Sequence, residues 1–356
     1  MNTYQSDFTR IVKAAQRKGT APFPLYEHNV SLSVLDAITD ADITGMSGGS
    51  FTDRREGFRL AASRLSEIGY DTFSFEGCIT ELVQGGKGLM GQSGPLITSM
   101  QELESYPWDE LPERYFQRFR LSFEALREAL PPGMKAVGGV GNGLFELIQD
   151  FVPLTDLAYL EVDEPEVFAA LWHRVADVMH VIWERFLQEY GDIYCLCRFG
   201  DDLGFNTSLL LKPSTVTDYI LPQYQRIVSL VHSYDKPFLL HSCGAIFPVM
   251  DQIIEQTNID AKHSNEDSIA PFTNWVEQYG ARIGLFGGID MNILCIEDEP
   301  GIRSYVGEVL RQLSLLRERS AGTLTAGIAL GSGNQIAEYV PPEHFLVMVQ
   351  ALRELQ

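Results

Sequence analysis

The sequence predicts an α/β protein, a (β/α)8 TIM barrel with an N-terminal helical extension. Three observations lead there. Short apolar runs closed by turn residues alternate with long helical patterns. Such runs fall near residues 25, 73, 137, 195, 240, 260, 285 and 327, one for each stave of a barrel of about 250 residues plus insertions. No Gly-x-Gly-x-x-Gly turn follows the first of them, which speaks against an open doubly wound sheet.

The elements follow in order. "MNTYQSDFTRIVKAAQRKG" has the spacing of an amphipathic helix with no continuous apolar stretch, unlike a secretory signal. "PFPLYEHNV" (22–30) and "YDTFSFEG" (70–77) read as the first two strands, and "KAVGGVGNG" (135–143) as the third, ahead of the helical "LFELIQDF". "DIYCLCRFGDDLG" (192–204) precedes a helix from Ser214 to Ser233, and "PFLLHSCGA" precedes "IFPVMDQIIEQ". "NIDAKHSN" (258–265) leads to "PFTNWVEQYG", and "RIGLFGGID" (282–290) to a helix on which Ile302, Tyr305, Val306, Val309, Leu310, Leu313 and Leu316 share one face. "TLTAGIALGSGN" (323–334) is the last strand, followed by a helix opened by proline in "PPEHFLVMVQALREL". With no composition break or low-complexity linker, residues 1–356 read as a single domain.

A net charge of −21 excludes a nucleic-acid footprint and a polybasic membrane surface, and no apolar run approaches a membrane span. Five cysteines, an odd number, suggest reduced thiols and a cytoplasmic location.

Barrel chemistry sits at the carboxyl ends of the strands, and polar residues collect there: Glu27 and His28, Glu76, Asp201 and Asp202, His241 and Cys243, Lys262, His263 and Asn265, Asp290 and Asn334. Each has a plainer reading. Asp201 and Asp202 lie between Gly200 and Gly204, where aspartate also caps turns. Cys195 and Cys197 share one strand face and read as core. The glycines of "FGGID" and "GSGN" serve tight turns or close approach of a ligand. "QGGKG" (84–88) lacks the spacing of a phosphate loop. His173, His180, His232 and His344 fall on helical patterns.

His241 and Cys243 stand apart, because strand alternation points both to one side. They are two legs of a zinc site, or a core histidine beside a small thiol. Zinc requires a third protein ligand. Glu27, at the end of the first strand, can face across the barrel mouth, and Cys295 is the weaker alternative.

"PFLLHSCGAIFPVMDQIIEQTNIDAKHSNEDSIAP", "RIGLFGGIDMNIL" and "GSGNQIAEYVPPEHFLVMV" resemble the uroporphyrinogen decarboxylase superfamily. The nearer match is its methyltransferase branch, which includes methylcobamide:coenzyme M methyltransferases and methyltransferases of corrinoid O-demethylase systems. The decarboxylase proper carries an arginine-rich "RQAGR" stretch and an aspartate in "FSDI". Here the start reads "LYEHNVSLS" and the second strand "FSFEGCITE", with Glu76 and no aspartate, so tetrapyrrole decarboxylation is not expected.

The resemblance implies a (β/α)8 barrel and a zinc site built on a His-x-Cys pair, matched by His241 and Cys243, with a later cysteine. That cysteine is missing: "GSGN" has Asn334 in its place. A harder site completed by Glu27 would act as a stronger Lewis acid toward oxygen. The implied activity is zinc-dependent transfer of a methyl group between a small methylated substrate, such as a methoxylated compound, and a corrinoid on a partner protein. In that reading Asp201, Asp202 and His263 are catalytic, His263 as proton donor to the leaving oxygen, and Glu76, Asn265, Asp290 and Asn334 bind substrate. The alternatives are a metal-independent lyase of the same superfamily and a barrel that binds a tetrapyrrole or corrinoid without turnover.

Overall fold

Seven of the eight expected strands form, and all run parallel. The computed structural model describes residues 4–19, 21–83 and 94–356; the "QGGKG" stretch lies outside them. The strands are β1 (Thr72–Cys78), β2 (Lys135–Gly141), β3 (Tyr194–Gly200), β4 (Phe238–His241), β5 (Ala261–His263), β6 (Gly284–Ile289) and β7 (Ile328–Ser332). They are hydrogen-bonded in sequence order, the order of a barrel's staves. Helices from Pro165–Tyr190 to Pro342–Glu354 follow the strands and pack against them.

The eighth strand does not form as one. Around residue 25 there are only isolated bridges, from Leu25 to Tyr70 ahead of β1 and from Leu25 to Leu330 on β7. The sheet therefore curls until its two edges meet at Leu25. Farther along, Val30 bridges Ile336 on the β7 side alone, so the segment stays with β7 and parts from β1. Gly331 permits this approach: a Cβ there would lie 1.8 Å from the Tyr26 carbonyl oxygen.

Helix α1 (Thr9–Ala15) accounts for the amphipathic start. Its buried residues Ile11, Ala14 and Ala15 join one apolar cluster with Val137, Leu196, Leu239, Ala261, Phe286 and Ala329 from six successive strands. On β3, β4 and β5 the same face carries Arg198, His241 and His263 two residues nearer the carboxyl end, so α1 fills the base of the sheet and leaves the other end for chemistry. Between the seam and β1 come α2 (Leu32–Thr39), α3 (Ile43–Ser47) and α4 (Phe51–Ile68). α4 begins with the reciprocal Ser50 and Asp53 capping box. α5 (Met100–Ser105) and α6 (Leu111–Ala129) precede β2, and α7 (Leu144–Phe151) follows it. Among the described residues no helix is long and apolar enough to cross a membrane.

Candidate metal centre

The carboxyl ends of β3, β4, β5 and β7 bring together His241, Cys243, Asp202, His263 and Asn334. The order of protons in this group follows from the acceptors. The Ser332 carbonyl can only accept, so the 3.1 Å contact from His263 Nε2 fixes the proton there. His263 Nδ1 is then an acceptor, and it takes the Nδ1–H of His241 at 2.8 Å. Burial favours neutral rings in both, pushing His263 down to about 3 and His241 well below its usual value. His241 is left with a lone pair on Nε2.

That lone pair faces the Cys243 sulfur at 3.4 Å and Asp202 Oδ1 at 3.9 Å. Asp202 is held in place by the Cys243 backbone N–H, which donates to Oδ1 at 2.9 Å, while its own N–H donates to Glu146 Oε1 at 3.2 Å. The sulfur receives two weak donors, Ser264 Oγ at 3.4 Å and Asn334 Nδ2 at 3.5 Å. Ser264 adopts φ 90°, unusual for a residue with a Cβ and the kind of local strain that collects at functional sites. Burial and then the nearby Asp202 push the free thiol upward, so a cation would be needed to hold the thiolate.

Among the described residues, two groups of side chains that could hold a metal have ligand atoms within 4.8 Å of one another: Asp202, His241 and Cys243, and His28, His241 and His263. Geometry separates them. Ligands at zinc bond lengths of about 2.0–2.3 Å in a tetrahedron stand about 3.5 Å apart. The Nε2–Sγ and Nε2–Oδ1 separations of 3.4 and 3.9 Å fit that spacing. The 2.8 Å between the His241 and His263 Nδ1 atoms is a hydrogen bond, and His28 stacks on His241 with centroids 3.8 Å apart, nearly parallel.

The other expected site residues lie around this group. Glu27 does not join it. Its carboxyl accepts from Tyr70 Oη, from the Ser332 N–H and from Ser332 Oγ, and burial pushes it up to about 7 against those hydrogen bonds. Cys295 sits on the helix Met291–Ile296, outside both groups. Asp201 is fully buried and turned away from Asp202: it accepts from the N–H groups of Phe145 and Glu146 at the start of α7 and from Tyr224 Oη. Gly143 makes room for it, since a Cβ there would lie 2.2 Å from that of Asp201. His263 is placed behind His241 with both nitrogens engaged, by His241 Nδ1–H and by the Ser332 carbonyl. Asp290 caps the helix Met291–Ile296 and also holds the Asp267 N–H. Asn265 accepts from Gly288 N–H, and its buried Nδ2 has no hydrogen-bond partner among the described residues. Of the four expected substrate-binding residues, Asn334 alone contacts the group.

Glu76 points inward to Arg198, which sequence reading passed over. Arg198 is 1% exposed and donates to Glu76 Oε2 at 2.7 Å, to Tyr26 Oη at 2.8 Å and to the His28 carbonyl at 2.6 Å. The signal was there in "YCLCRFG", where alternation puts Arg198 in line with Leu196. Cys195 and Cys197 face the other way and are buried, with burial pushing each up to about 12, as core cysteines should be. Glu146 was also missed; nothing in "LFELIQDF" marks it.

The uroporphyrinogen decarboxylase (URO-D) family profile matches residues 88–355. Among solved structures, a methyltransferase from Methanosarcina mazei superposes with a TM-score of 0.72 over 98% of this chain and 99% of its own, at 17% identity; at that identity the likeness is one of fold. A rutinosidase from Aspergillus niger aligns over 96% of this chain and 98% of its own with a TM-score of 0.42 and 11% identity. No curated protein matches.

Proposed function

The chain belongs to the uroporphyrinogen decarboxylase family, and on that premise we propose that it is a zinc-dependent methyltransferase moving a methyl group from a small methylated donor to a corrinoid carried by a partner protein. The observation that carries the reading is the lone pair of His241 Nε2 aimed between Cys243 Sγ and Asp202 Oδ1 at zinc-ligand spacing. Asp202 thereby takes the third position, which the sequence suggested for Glu27. Zinc held there supplies Lewis acidity toward the heteroatom of the donor, making it a better leaving group.

The protein's own part is positioning. The Ser332 carbonyl and His263 hold the His241 tautomer. Asn334 and Ser264 donate to the Cys243 sulfur and draw off part of its charge, and a carboxylate replaces a second thiolate. Both features favour an oxygen donor over a thiol acceptor.

The test has two parts. Protein purified without chelator should carry close to one zinc per chain, and Asp202→Ala, His241→Ala or Cys243→Ser should remove most of it. Mixed with reduced corrinoid protein and a panel of methoxylated donors, the enzyme should form methylcobalamin, read by absorbance. Metal-free protein that takes up no zinc, or coenzyme M demethylating methylcobalamin while no oxygen donor reacts, would overturn the reading.

A further inference from the structure

A cavity of about 190 Å³ opens beside the seam where the segment near residue 25 parts from β1. Its rim is the exposed Asn29, Leu32 and Ser47, and its floor includes the buried Glu27, Tyr70 and Ser122. Phe58, Phe73 and Phe75 contribute aromatic walls, with Phe58 edge-on to both of the others. None of the lining residues belongs to the Asp202, His241 and Cys243 group.

We propose that this cavity is a binding site for a small monocyclic aromatic molecule bearing a hydroxyl group, with the ring against the phenylalanines and the hydroxyl on the polar floor. Size sets the first limit. An apolar cavity of about 150 Å³ holds benzene, so about 190 Å³ takes one ring with a small substituent.

The floor sets the second limit. Tyr70 Oη donates to Glu27 at 2.9 Å, and its oxygen accepts from no donor among the described residues. Ser122 Oγ accepts from Arg54 Nη1 at 2.7 Å, and its own proton goes to no acceptor among them. An acceptor and a donor therefore face one buried space, and a hydroxyl can satisfy either. A hydrocarbon satisfies neither, and a carboxylate would meet the Glu27 carboxyl. Burial holds that carboxyl up at about 7, consistent with a neutral polar neighbour. Phenol is the simplest probe.

The experiment titrates phenol, toluene and benzoate into the full-length protein by calorimetry and ligand-observed NMR. Phenol should bind saturably and at least tenfold more tightly than toluene, with benzoate weaker than both. Leu32→Trp, at a rim position 40% exposed, should close the entrance and lower phenol affinity at least tenfold with the melting temperature unchanged. Ser47→Trp, also on the rim, should do the same and serves if the first variant melts early. Phenol binding no tighter than toluene, binding that does not saturate, or unchanged affinity in a folded rim variant each overturns the proposal.

Discussion

His263→Leu is the most informative substitution at the candidate centre, because it distinguishes a residue that holds a ligand from a ligand. His263 is fully buried, and leucine replaces it at similar volume. The change removes the acceptor of the 2.8 Å bond from His241 Nδ1–H. With that partner gone, His241 can place its remaining proton on Nε2, the atom that faces Cys243 and Asp202. Loss of such an orienting partner typically costs 10–100-fold in metal affinity, or about 1.4–2.8 kcal/mol. Zinc competition against a chromophoric chelator, on protein shown to be folded by circular dichroism, measures it. His28→Phe keeps the 3.8 Å stack on His241 and should leave zinc affinity unchanged. Two results would refute the reasoning: native affinity in His263→Leu, or a loss as complete as that of His241→Ala, which would make His263 a ligand. A drop in His28→Phe would likewise point to the three-histidine group.

Arg198→Met strips Glu76, Tyr26 and the His28 carbonyl of their shared partner; breaking a buried pair typically costs about 3–5 kcal/mol, seen as a lower urea midpoint. Adding Glu76→Leu should recover much of that loss. Glu27 gives a pH signature. Its carboxyl titrates near 7 when folded against the ordinary 4.5, so the native state binds that proton more tightly than the unfolded chain. The stability it contributes is full below about 4.5 and is lost as pH rises through 7, about 3 kcal/mol in all. Urea midpoints from pH 4.5 to 8 should fall less steeply in Glu27→Gln than in the native protein; parallel curves would show that Glu27 is ionised throughout.

Much of this was legible in the sequence, for stated reasons. Strand positions near 73, 137, 195, 240, 260, 285 and 327 were readable because each is a short apolar run between turn residues. The run at 25 looked the same, yet it forms only bridges. Strand pairing depends on what lies on both sides, and α2 to α4 draw the chain away from β1. The His241 and Cys243 pair was visible because alternation holds along a strand. Asp201 and Asp202 lie just past the end of β3, where alternation stops. One turned into the α7 N-terminus and the other toward Cys243, a choice made by contacts with Gly143 and Tyr224 that are distant in sequence. The direction of Glu27 was illegible for the same reason: the strand end gave its height on the barrel, while Tyr70 and Ser332 decided where its carboxyl points.

The helix at the base has a consequence for how the protein is made. Ile11, Ala14 and Ala15 pack in the same cluster as Ala329 of β7, and Gly19 N–H donates to the carbonyl of Ala326. Some three hundred residues of chain separate these partners, so α1 cannot reach its final place until nearly the whole sequence has left the ribosome. Contacts of such long range make for slow assembly. An apolar helical face made some three hundred residues before its partners is a natural target for chaperones that hold nascent chains.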